Sequence, residues 1–207
     1  MSIGLNNKKV DIECFAKKGI MNEQLRSELL GNLASKNETV RYNSHKVLLL
    51  MSGQQPEMLY SSWDYLADFL DSHNTYHKLS AVQLLANLTK ADKDNKFEKL
   101  FDKYYSLLDD RSFITAAYVA QASGTIANAK PTLQTKITNR LLDIEDTHHT
   151  QERKDLAKAS IIEAFAQYYQ QMTNKKRILE FVERQLNCQS PKTRKKAKEF
   201  LEQVNTK

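Results

Sequence analysis

The stretch from Asn37 to Ser52, NETVRYNSHKVLLLMS, decides the fold of this 207-residue chain. At 3.6 residues per turn, Val40, Ser44, Val47, Leu48 and Met51 share one helix face, and Arg41 follows directly on the first apolar position. The same frame returns as His77, Lys78, Ala81, Leu85 and Leu88, and again as Thr193, Arg194, Ala197, Leu201 and Val204. Arg41, Lys78 and Arg194 are separated by multiples of about 38 residues. A helical period near 40 is the signature of stacked helical hairpins. The sequence therefore predicts an all-α fold, a right-handed solenoid of about five antiparallel hairpins.

Working outward, the hairpins are expected at 22–52, 56–91, 94–128, 131–171 and 174–205, in a single domain with residues 1–20 as an N-terminal cap. A short opening helix around Val10, Ile12, Cys14 and Phe15 is expected to stop at Gly19. Asn22 then caps the next helix, because its side chain can accept from free amides of the first turn. Pro56 and Pro131 suit first helical positions, where no amide partner is needed. The polar turns at Asp71–Asn74, Asp109–Asp110 and Glu145–Thr150 separate paired helices. The second helix of the third hairpin is unusually small and apolar, with several Ala and Gly124, and small residues let neighbouring helices approach closely. It carries Ala116 where the frame would place a basic residue, and repeats three and four are read as lacking that residue. No stretch reads as a strand.

Composition agrees with this reading. Hydrophobic residues make up 41%, enough for a continuous core, and five Gly and three Pro argue against a β-rich or disordered chain. Mean hydropathy is −0.61. No apolar run approaches the roughly 20 residues of a membrane helix, and the N-terminus lacks a signal-type apolar segment, so a cytoplasmic protein without membrane contact is expected. Cys14 and Cys188 have no zinc-type spacing and read as ordinary helix residues. The net charge of +6 is concentrated: residues 174–207 hold ten Lys/Arg against four Asp/Glu, while the first 173 residues hold 21 of each sign.

The pattern resembles the HEAT repeat family over roughly residues 20–204. The resemblance rests on Val40-Arg41 and Thr193-Arg194 opening second helices, on the Ala/Leu spacing behind them, and on Ala122-Ser123-Gly124-Thr125-Ile126 as a repeat's close. Residues 147–154 and 190–196 also look like prokaryotic, especially archaeal, HEAT-like proteins of undefined activity. The resemblance implies a scaffold whose second helices line a concave face and bind macromolecules.

On that reading the partner-binding candidates are Arg41, Lys78, Lys154, Lys158, Arg194, Lys195 and Lys198, facing a protein partner. The rival reading is nucleic-acid binding through the basic C-terminal end, since clustered cations gain by releasing counterions from a polyanion. HEAT-like DNA glycosylases, which use aromatic and acidic groups around a damaged nucleotide, draw notice to Trp63 and Asp64. Trp63 nevertheless shares an apolar face with Leu59, Leu66 and Leu70, so burial is expected. His148, His149 and Glu152 form the one constellation with a hint of metal or acid–base chemistry, but the spacing fits a capped turn better than a metal motif. No catalytic residue, metal ligand or cofactor is assigned, and the chain reads as a non-enzymatic binding scaffold.

Overall fold

The computed structural model describes residues 4–7 and 9–205, and among them there is no strand. Eleven α-helices follow in order: α1 (Ile12–Met21), α2 (Glu23–Gly31), α3 (Glu38–Gln54), α4 (Trp63–Asp68), α5 (Thr75–Leu88), α6 (Lys96–Ser106), α7 (Phe113–Ala129), α8 (Gln134–Leu142), α9 (Gln151–Tyr168), α10 (Lys176–Arg184) and α11 (Pro191–Asn205). The chain is an all-α solenoid in which α3, α5, α7, α9 and α11 are the second helices of successive hairpins. Two compact units divide inside α6, one Met1–Leu100 and the other Phe101–Lys207.

One local design makes every hairpin. Each first helix tightens into a 3-10 turn, then the chain extends for a residue or more before the second helix opens. The extended residues are Ser35, Ser72, Asp110, Thr147 and Cys188, which recur at near-equal intervals. Polar residues then open the next helix. Asn37 accepts from the amide of Val40, Asn74 from that of Tyr76, and Ser190 from that of Thr193. These side chains satisfy amides that have no partner within the helix.

In the first unit, α3 packs on α1, α2 and α5. Its face of Val40, Ser44, Val47, Leu48 and Met51 is buried, as the periodicity predicts. Gly19 corrects the expectation that α1 stops there. It lies inside the helix and buried, where an added Cβ would stand 2.8 Å from Met51 Sδ. The glycine admits the neighbouring helix instead of ending its own. From Pro56 to Ser62 the chain is a 3-10 helix, and α4 begins only at Trp63. Trp63 is buried, edge-on to Tyr60 and Phe97.

In the second unit, α7 and α9 make the most extensive helix pairing, and Ala116, Val119, Ala120, Ser123 and Gly124 of α7 are buried. Polar bridges at a separation of about one repeat tie successive hairpins. Arg140 donates to Asp102 at 2.8 Å, 38 residues away, and Arg177 donates to Asn139 at the same separation. Cys14 lies in α1, whereas Cys188 occupies the extended turn after α10, a correction to its expected helical setting. No helix is long and apolar enough to cross a membrane among the described residues.

Candidate interaction face

The basic residue of the repeat frame sits four positions after the residue that opens each second helix. Backbone bonds mark this slot: the amides of Arg41, Lys78, Ala116, Lys154 and Arg194 donate to Asn37, Asn74, Ser112, Thr150 and Ser190 respectively. Lys154 therefore fills the basic position of the fourth repeat, a correction to the expectation that this repeat lacks it. Arg153 in the preceding slot, where the other repeats have Val, His or Thr, conceals the match.

Three of these cations close their own turns. Arg41 Nη1 donates to the Ser35 carbonyl at 2.9 Å, and Arg194 Nη1 to the carbonyls of Cys188 at 2.7 Å and Gln189 at 2.9 Å. Lys154 Nζ reaches the Glu145 carbonyl at 2.6 Å. Each covers a carbonyl left open where the first helix ends, and a positive charge is favoured at that negative helix end. Lys78 is half-buried on α5.

Lys158 lies deeper than a partner-facing role requires. Its side chain is 5% exposed, with Nζ 2.8 Å from Asp155 Oδ1 and 2.5 Å from Glu145 Oε1. Gln151 also donates to Asp155 at 2.9 Å, and the Asp155 carbonyl accepts from Thr193 of α11. Burial alone would raise the Asp155 carboxyl, but the hydrogen bonds from Lys158 and Gln151 prevail and hold it below the usual carboxylate range. Burial likewise opposes the charge on Lys158, and its bonds to Asp155 and Glu145 outweigh it and raise its pKa. An ammonium held by two carboxylates in this way locks α9 to the turn before it.

Lys195 and Lys198 are exposed on α11. With Pro191, Arg194, Glu199 and Glu202 they line an open depression of about 370 Å3. Glu199 stands 3.8 Å from Lys195 and 2.9 Å from Lys196, which also pairs with Glu163 at 3.0 Å. Both signs of charge thus share the surface of the last repeat.

Exposed apolar groups supply a signal that charge counting missed. Tyr42 (59% exposed), Tyr76 (58%), Ile114 (56%) and Leu156 (40%) all lie in the first two turns of second helices. In the first unit, Lys46 Nζ stands 5.0 Å from the Tyr42 ring centre, and the Arg41 guanidinium 4.6 Å from that of Tyr76. Cation–π contacts of this kind hold the rings in place while leaving them open to solvent. In the second unit, Arg153 lies 5.9 Å from the Phe113 ring, next in sequence to Ile114. Tyr65, exposed on a first helix, instead places its hydroxyl 3.3 Å from the Leu30 carbonyl.

The turn before α9 corrects the expected grouping of histidines. Asp109, His148 and His149 each bring a ligand-type atom within 4.8 Å of the others. Asp109 thus stands with the two rings in place of the expected Glu152. Asp64, beside the buried Trp63, pairs with Lys96 at 3.1 Å.

No protein-family profile matches the sequence, and no curated protein matches it. Solved structures similar to it in fold include an engineered protein, a Northeast Structural Genomics Consortium target. It has a TM-score of 0.54 and 16% identity over 99% of this chain and 87% of that one. A designed armadillo repeat protein has a TM-score of 0.51 and 16% identity over 97% of both chains. The geometry and these likenesses agree that the chain is an armadillo-like helical-repeat solenoid.

Proposed function

We propose that this chain is a non-enzymatic, HEAT-like scaffold that binds a protein partner through its second helices and its basic last repeat. The observation that carries the reading is the exposure of Tyr42 and Tyr76 early in second helices of the first unit, matched by Ile114 and Leu156 at like helix positions in the second. A stabilising role alone does not call for large apolar groups in water, and tyrosines flanked by cations are typical of protein contacts. Lys46 and Arg41 in the first unit, and Lys195 and Lys198 in the second, suit a partner with acidic side chains. Arg41 and Arg194 serve it by fixing the turns that present these groups, Lys154 and Lys78 flank them, and Lys158 stiffens α9 from within. The armadillo-type likeness supports a binding fold and speaks to no particular partner.

A comparative pull-down from the native cell tests this. Proteins retained by the wild-type chain are expected to be lost with Tyr42→Ser combined with Tyr76→Ser, and kept with Glu57→Ala on a first-helix segment. Equal retention by both variants overturns the proposed face. In parallel, labelled duplex and single strands are titrated at rising salt. Tight binding with a steep salt slope, reduced by about one unit per cation in Lys195→Glu and Lys198→Glu, replaces a protein partner by nucleic acid. Glu199 and Glu202 in the same depression favour the protein.

A further inference from the structure

Asp109 ends the 3-10 turn of the third hairpin, and His148 and His149 occupy the corresponding turn of the fourth. Asp109 Oδ1 accepts from the His148 amide at 2.7 Å and lies 2.6 Å from the same residue's Nδ1. The two imidazole centres are 4.3 Å apart. His148 and Asp109 are exposed, and His149 is 5% exposed, its ring edge-on to Phe113.

The tautomer of His149 follows from its contacts. Nε2 lies 3.2 Å from the Leu108 carbonyl, which can only accept, so Nε2 carries the proton. Nδ1 is then a bare lone pair, and it is buried without a hydrogen-bond partner. Buried polar atoms are nearly always satisfied, and this lone pair is left free to bond an ion. Metal-bound histidines commonly donate their second ring nitrogen to a backbone carbonyl, as His149 does here.

We propose that Asp109, His148 and His149 form a binding site for a first-row divalent metal ion of the Zn2+ type. Two imidazoles and one carboxylate are the donors such ions take, with positions left for water or a further ligand. Donors on a tetrahedral zinc lie about 3.4 Å apart, so separations within 4.8 Å close with small side-chain movement. His148 exchanges its hydrogen bond to Asp109 for the ion, ligating through Nδ1 with the ring proton carried on Nε2. Two nitrogen donors favour ions that bond strongly to imidazole over Mg2+ or Ca2+, while Arg153 and the positive end of α9 oppose any cation alike.

The test is Zn2+ titration by calorimetry, with Co2+ absorption as a second readout, on the full chain stripped with chelator and freed of any affinity tag. One equivalent is expected to bind. His148→Ala, an exposed change, and Asp109→Asn each weaken binding at least ~10-fold, while Glu152→Gln leaves it unchanged. His149→Gln keeps a donor for Leu108 and removes the ring lone pair, and it too loses the ion while its far-UV dichroism stays helical. Failure of the wild type to bind a stoichiometric ion at neutral pH, or undiminished binding by His149→Gln, overturns the site. Neither result bears on the partner-binding face, which is read from a different assay.

Discussion

The turns that close the first and fourth hairpins solve one problem with different residues. In the first, Arg41 covers the Ser35 carbonyl, and Asn37 caps α3 while its own amide bonds to Ser35 Oγ at 3.2 Å. The fourth turn is longer and divides the work. Lys154 covers the Glu145 carbonyl, and Lys158 binds the Glu145 side chain and reaches back to Asp155. The repeat therefore fixes where a carbonyl needs a donor, and it leaves open which side chain supplies it. The fourth turn also holds more polar groups than closure demands, and the surplus is where ligand chemistry can lodge.

The sharpest way to break this comparison is Lys158→Met. Arg41 can be lost at the cost of one covered carbonyl, whereas removing Lys158 leaves the buried Asp155 carboxylate without its cation. Removing one partner of a buried pair costs about 3–5 kcal/mol, so the denaturant midpoint is expected to fall sharply. Adding Asp155→Asn in the same chain should recover much of the loss, since the uncompensated charge is then gone. The pH dependence follows from the same pair. Asp155 has a depressed pKa, so its contribution is present above the unfolded carboxylate value of about 3.9 and is lost as pH falls through the lower folded value. Lys158 has a raised pKa, so its contribution is present below the unfolded lysine value of about 10.4 and disappears as pH rises through the higher folded one. Asp155→Asn should flatten the acid limb of the stability curve. An unchanged limb would place the source of acid sensitivity elsewhere.

Arg41→Ala is the smaller counterpart. It uncovers one carbonyl and removes the stack on Tyr76, a loss of about 1–3 kcal/mol by denaturant unfolding. Arg41→Lys should restore part of it, because one ammonium can reach the carbonyl but cannot stack as a planar guanidinium does. A loss in Arg41→Ala as large as that in Lys158→Met would erase the distinction between the two turns.

The sequence made the helices legible because burial imposes a period on it. Val40, Val47, Leu48 and Met51 declare their face without reference to any other part of the chain. Asn22 could be read as a cap for the same reason, since it accepts from Leu25 three residues ahead. Functions that depend on separation by a whole repeat were hidden. Nothing near His148 in sequence announces Asp109, and nothing near Arg41 shows that its guanidinium stacks on Tyr76. The basic slot at Lys154 was concealed by a local exception at Arg153. Tyr42 and Tyr76 carry no local mark of exposure in the sequence, and it emerges only when the helices are set beside each other.

Gly124 offers the finest test, because it sets local propensity against packing in the pairing of α7 with α9. An added Cβ would stand 2.4 Å from Gln167 Cδ, far inside contact distance. The obstruction is the end of a flexible, exposed side chain, whose Nε2 makes a long 3.4 Å contact with the Glu163 carbonyl. Gln167 can swing into solvent with little loss. Alanine in a helix interior is favoured over glycine by about 1 kcal/mol, so Gly124→Ala should raise stability by roughly 0.5–1 kcal/mol. A Cβ added at Gly19 would stand 2.8 Å from Met51 Sδ inside the buried packing of α1 on α3, where no such escape exists, and Gly19→Ala should destabilise. Thermal unfolding of the two alanine variants reads both signs. If both destabilise, backbone approach rather than side-chain freedom governs the α7–α9 pairing, and the small residues of α7 are required by packing at every position.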